Sequence, residues 1–153
     1  MNTADNRYSE EDLPYDNGTM PENVDMLRAA VVGRRIVKAE RRDHEDPMWA
    51  MVGISKKHTA FFITLDDGTE VRMRDTDDCC AYTMLDDFLL HPERVDHMIL
   101  GVGTTEGFER WHIYADLGDV LELSVGWSAG NPFYYGYGFD IDVIRPDSEV
   151  HRG

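Results

Sequence analysis

Apolar and polar residues alternate most regularly between Phe133 and Val143. Phe133, Tyr135, Tyr137, Phe139, Ile141 and Val143 fall on one side, and Tyr134, Gly136, Gly138, Asp140 and Asp142 on the other. Successive side chains point to opposite faces of a strand, so the stretch predicts a half-buried β-strand with an aromatic inward face. Its outward face is bare at the two glycines and acidic towards its end. Glycine within a strand marks a bend, a bulge or the close approach of another backbone.

The same pattern reading divides the rest of the chain. Residues 1–18 are acidic and poor in apolar groups, which predicts a flexible lead-in. Thr19-Met-Pro-Glu starts a helix to about Val32, with Pro21 in the first turn and Gly33 closing it. Arg34–Glu40 reads as a strand. The segment 41–57 is a polar loop followed by an apolar island, Met48–Ile54. His58–Leu65 and Thr69–Arg74 flank Asp66-Asp-Gly68, a hairpin signal. Ala81–Leu90 places Tyr82, Leu85, Phe88 and Leu89 at helical spacing after Asp77 and Asp78, which can cap a helix, and before Pro92, which stops one. Strands are then expected over Val95–Val102, Phe108–Ala115 and Val120–Val125, with short loops that favour antiparallel neighbours. Trp111, Ile113, Leu121, Leu123 and Val125 point inward on this reading, and His112 points to solvent or to a partner.

The architecture expected is therefore α+β: one domain over 19–146, a curved, mainly antiparallel sheet of six or seven strands with two short helices, and a frayed tail at 147–153. At 153 residues the chain has the length of a single domain. No apolar run approaches the length of a membrane span, and the N-terminus has neither a basic nor an apolar signal region. The two cysteines, Cys79 and Cys80, are adjacent and cannot build a disulfide framework, which suits a reducing cytoplasm.

Charge changes the functional picture. The formal net charge is −15, and residues 75–142 hold fourteen acids against Arg94 and Arg110. Residues 26–57 are the opposite, with eight bases and four acids. Such a balance disfavours direct binding to nucleic acid or to an anionic membrane, and it suits either solubility or a basic partner.

Val32-Gly-Arg-Arg-Ile-Val37, Leu65-Asp-Asp-Gly68, Thr76-Asp-Asp-Cys-Cys80 and Tyr135-Gly-Tyr-Gly-Phe139 occur in this order. Together they resemble a group of small proteins of unknown function encoded by bacteriophages of actinobacteria. The resemblance spans residues 30–144, and the Asp-Cys-Cys step is its most specific element. It implies a phage accessory protein acting in the cytoplasm of the host cell, with no settled activity and no cofactor.

Candidate chemistry is sparse. Asp77, Cys79 and Cys80 have metal-binding side chains, but zinc sites separate paired cysteines so that both reach one ion. A capping aspartate beside small buried thiols is the plainer account. A thiolate activated at a helix N-terminus remains the enzymatic alternative, with a small-ligand pocket near Cys79 and Cys80. Glu122, Asp140 and Asp142 would share an outward face if the strand 120–125 paired with the strand 133–143. Such a face is either solvated or, as an array of carboxylates, an imitation of phosphate charges that fits a basic groove. Tyr134 and Trp127, with Gly136 and Gly138 between Tyr134 and Asp140, would border it. The functional expectation is a non-enzymatic accessory protein that binds and modulates a host protein with a basic surface; a virion component is the alternative.

Overall fold

The computed structural model describes residues 20–45, 51–53, 57–77, 82–128 and 138–146. The α-helix α1 covers Met20–Val31. Met20, Asn23, Val24, Leu27, Ala30 and Val31 recur every three or four residues and are all buried, the stripe a helix needs to lie on a core. The helix ends where Gly33 takes a φ of +85°, a left-handed conformation that costs glycine little. From there the Gly33 N–H donates to Ile99 O at 2.9 Å and the Ile99 N–H to Arg34 O at 2.8 Å, tying the helix exit to a distant segment.

Among the described residues nine strands follow: β1 (Ile36–Glu45), β2 (Lys57–Leu65), β3 (Glu70–Arg74), β4 (Thr76–Asp77), β5 (Tyr82–Leu90), β6 (Gly101–Thr105), β7 (Arg110–Ala115), β8 (Gly118–Ser128) and β9 (Asp140–Ile144). They form two antiparallel sheets, one in the order β1-β2-β3-β9 and one in the order β4-β5-β8-β7-β6, whose outermost member β4 is two residues long. The β2–β3 hairpin turns at Asp66-Asp67-Gly68, with Gly68 at a φ of +90°. Asp67 Oδ1 accepts the Thr69 N–H at 3.0 Å, and this bond is the main reason its carboxyl lies below the ordinary carboxylate value.

The inward faces of the two sheets share one core. Phe61, Ile63, Leu65, Val71, Met73 and Ile141 come from the first sheet, and Leu85, Val102, Trp111, Ile113, Leu121, Leu123 and Val125 from the second. Phe61 meets Phe88 with ring centroids 4.7 Å apart, and Trp111 meets Phe139 edge-on at 5.5 Å. The helix contacts β6 of one sheet and β9 of the other.

The segment between the sheets is held by side chains. Asn23, buried in α1, donates to Phe139 O at 3.1 Å and accepts the Phe139 N–H at 2.5 Å. Thr83 Oγ1 accepts the Gly138 N–H at 2.7 Å, and Thr76 Oγ1 donates to Gly138 O at 2.7 Å. Gly138, at a φ of +110°, and Phe139 thus find their backbone partners in α1, β4 and β5 rather than in a ladder.

This architecture corrects the expectation of a single curved α+β sheet with two helices. Among the described residues the molecule is mostly β, in two sheets, with the helix α1 and a 3-10 turn at Pro92–Arg94. The stretch predicted as a second helix is strand β5. Its pairing with β8 slips by one residue between Leu85 and Asp87. Thr83 and Leu85 face inward before that bulge, and Phe88 and Leu90 after it. The extra residue turned a two-residue period into the three-residue step that imitated a helix. Leu89, expected in the core, is 55% exposed. The strand expected over 95–102 begins only at Gly101, after a turn. The long strand 133–143 is seen as β9 from Asp140 onward. Phe139 and Ile141 are buried as the alternation requires, while 131–137 lie outside the described residues, as do the lead-in 1–18 and the tail 147–153. β9 pairs with β3 and not with β8, because both edges of β8 are already taken by β5 and β7.

Candidate functional site

The outward face of the second sheet gathers more chemistry than any other described surface. The β7–β8 pairing sets His112 opposite Glu122 and Arg110 opposite Ser124, on the side away from Trp111, Ile113, Leu121 and Leu123. A register shift between Ile113 and Tyr114 brings Asp119 beside them. The 3-10 turn after β5 presents His91, whose N–H donates to Val120 O at 2.8 Å, and Arg94, whose Nη1 donates to Asp119 O at 2.8 Å. Gly118, at a φ of +133°, leaves room for that guanidinium: a Cβ there would lie 3.2 Å from Arg94 Nη1.

Two lines of polar contacts result. In the first, Thr105 Oγ1 lies 2.9 Å from His112 Nε2, and His112 Nδ1 lies 2.9 Å from Asp119 Oδ2. In the second, Arg110 Nη2 donates to Glu122 Oε1 at 2.8 Å, and His91 Nε2 lies 2.7 Å from Glu122 Oε2. The His112 and Asp119 side chains are only 11% and 14% exposed, and Glu122 is 18% exposed. A hydroxyl, an imidazole and a carboxylate in line fix the ring and its tautomer, the device that orients a general base or a metal ligand. His112 was expected to face solvent or a partner; it is buried, because Asp119 and Thr105 satisfy both ring nitrogens.

Beside this cluster, β5 carries an apolar stripe. Tyr82, Met84 and Leu89 are 41%, 42% and 55% exposed, and they face outward with Asp87, across from Ser128, Gly126, Glu122 and Ser124 of β8. Asp86 Oδ2 sits over Gly126, 2.9 Å from where a Cβ would stand. Just behind the bulge, Asp75 Oδ1 accepts the Leu85 N–H at 3.0 Å. Partial burial pushes the Asp75 carboxyl above its ordinary value and the Asp86 charge adds to this, while the Leu85 bond and Arg41 pull the other way.

The residues singled out from sequence do not meet in one place. Glu122 belongs to the cluster just described. Asp140 and Asp142 lie on the first sheet, where each is neutralised: Arg74 Nη2 reaches Asp140 Oδ2 at 2.6 Å, and Arg72 Nη2 reaches Asp142 Oδ2 at 2.6 Å. The rest of that face is also paired, Arg42 contacting Glu40 at 2.9 Å and Glu70 at 2.5 Å and lying 3.8 Å above the Phe62 ring. The shared acidic face of Glu122, Asp140 and Asp142 therefore does not form. Trp127 is half-buried, donates Nε1–H to Gly107 O at 2.7 Å and packs edge-on against Phe108. Gly138 is buried with both backbone groups occupied. Tyr134, Gly136, Cys79 and Cys80 lie outside the described residues, and Asp77 is described only as backbone in β4.

His91, Thr105, Arg110 and Asp119 were not singled out from sequence, and His112 was read there only as a strand position facing solvent or a partner. Each is unremarkable alone; the β7–β8 register brings Arg110, His112 and Asp119 together, and β6 and the 3-10 turn add Thr105 and His91. Among the described residues, no helix is long and apolar enough to cross a membrane. A family model described as a domain of unknown function, DUF7448, matches residues 29–141. No curated protein and no solved structure matches the chain.

Proposed function

The chain belongs to the DUF7448 family, and from that premise we propose that it is a non-enzymatic, phage-type accessory protein that binds a basic segment of a host protein across the outward face of its second sheet. The observation that carries the reading is the exposed row Tyr82, Met84 and Leu89 on one side of β5, interrupted by Asp86 and Asp87. A lone exposed leucine needs no explanation, but a row of large apolar side chains edged by charge is the composition of a protein-binding patch. Apolar area supplies the affinity, and the acids select a partner with lysine or arginine between its own apolar residues. This moves the expected binding surface from β9 to β5, because the β9 acids already have arginine partners.

The test is capture from host lysate at low and high salt, followed by titration of the captured protein. Leu89→Asp and Met84→Ser should weaken binding by about tenfold or more, since buried anchors contribute ~1–2 kcal/mol each. Asp86→Asn with Asp87→Asn should flatten the salt dependence. Asp140→Asn with Asp142→Asn should change neither. Undiminished capture by Leu89→Asp, or loss only in the β9 variant, rejects the proposed face.

A further inference from the structure

We propose that His112, Asp119 and Glu122 form a binding site for a first-row divalent transition-metal ion. The inference does not depend on partner binding. The three side chains project from neighbouring strands β7 and β8, and one ligand atom of each lies within 4.8 Å of the others. Two ligands of one ion bonded at about 2.1 Å and about a right angle apart stand about 3.0 Å from each other. His112 Nδ1 and Asp119 Oδ2 are 2.9 Å apart, so one ion can bridge them from beside the line that joins them once the proton there leaves, with the Glu122 carboxylate turning in from within 4.8 Å.

The surroundings favour that exchange. Thr105 Oγ1, 2.9 Å from Nε2, can accept the Nε2–H and so leave Nδ1 with its lone pair towards Asp119, the second-layer bond that metal-bound histidines usually make. Asp119 is set by the Arg94 bond to its own carbonyl. Glu122 is held from outside by Arg110 and His91 through its two oxygens, and each oxygen keeps a further lone pair. One imidazole with two carboxylates suits Mn²⁺, Fe²⁺ or Zn²⁺, with water completing the shell. Arg110 offsets part of the carboxylate charge and so works against tight binding.

Metal-free full-length protein titrated with Mn²⁺, followed by loss of the aqueous Mn²⁺ paramagnetic signal, tests the site without interference from the cysteines. One equivalent should bind, and Zn²⁺ should displace it. Asp119→Asn and Glu122→Gln keep side-chain shape while each removing a charged ligand, and should weaken binding at least about tenfold. Thr105→Val should weaken it without removing a ligand, and Thr105→Ser should restore it. Thermal unfolding of each metal-free variant checks the fold; should His112→Gln not fold, the two isosteric variants decide. No stoichiometric Mn²⁺ binding to the native protein, or equal binding by the folded Asp119→Asn and Glu122→Gln variants, overturns the site.

Discussion

Replacing Asn23 by leucine tests how the two sheets are joined. Asn23 is 5% exposed and bonds both backbone groups of Phe139, a residue 116 positions away. Leucine has a similar volume but leaves the Phe139 N–H and C=O buried without partners. Each orphaned group costs about 1–3 kcal/mol, or about 2–6 kcal/mol for the pair. Against that, leucine is a better helix former by about 0.5 kcal/mol and contributes about 1 kcal/mol of apolar burial. The net loss should be about 1–4 kcal/mol, read from equilibrium unfolding in urea. Amide exchange should show Phe139 losing protection ahead of the β8 ladder. The Asn23→Asp variant sharpens the test. Its ionised carboxylate can still accept the Phe139 N–H but faces the Phe139 carbonyl oxygen, and only protonation restores a donor. Folding therefore favours the protonated form, and the variant should regain stability relative to the native protein as pH falls. An Asn23→Leu protein within about 0.5 kcal/mol of the native one, with Phe139 still protected, would refute the clamp.

Gly101→Ala should cost about 1–3 kcal/mol in the same urea measurement, because its methyl would enter the ring of Tyr114, which is 2% exposed and cannot swing away. Asp75→Asn keeps an acceptor for the Leu85 N–H while removing a charge that partial burial disfavours. The folded value is raised, so the native protein holds this proton more tightly than the unfolded chain and gains stability as pH falls through it. The variant should compare best with the native protein near neutral pH and lose that margin by about pH 4; a margin that widens towards acid would refute the assignment. Asp142→Asn and Arg72→Ala, singly and together, should give a coupling of about 0.2–1 kcal/mol by urea unfolding, since the pair is partly exposed.

The fold was legible where one period held without interruption. Helix α1 and the β2–β3 hairpin follow from a clean apolar stripe and from Asp66-Asp67-Gly68. Legibility failed at the bulges of the β5–β8 and β7–β8 pairings. In β5 the inserted residue put Leu85 and Phe88 three apart, and period alone then reads as helix. In the β7–β8 hairpin, the tight turn pairs Ala115 with Gly118 and Tyr114 with Asp119. Continued without a slip, that register would oppose Trp111 to Glu122, an apolar core position against a carboxylate. The two apolar sets, Trp111-Ile113 and Leu121-Leu123, can face each other only if β8 absorbs one extra residue, Val120, opposite the Ile113–Tyr114 step. The bulge was thus implied by the sequence once the turn was placed, and with it the meeting of His112, Asp119 and Glu122.

Charge along the chain also differs from charge in space. The stretch 75–142 looks almost unrelieved because Arg72 and Arg74 stand just before it. Antiparallel pairing of β3 with β9 sets those two arginines directly across from Asp142 and Asp140, and the first sheet's outward face becomes a ladder of matched pairs. On β5 the neighbours across the strand are different. Asp87 faces Ser124 and Met84 faces Gly126, so no basic side chain stands opposite. Acids that are locally matched add little field at a distance, because each pair is nearly neutral beyond a Debye length of about 8 Å. On β5, Asp87 has no basic neighbour across the strand and stands beside exposed tyrosine, methionine and leucine. A basic partner steered by the net charge would therefore find its unmatched carboxylates where it also finds apolar surface, on β5.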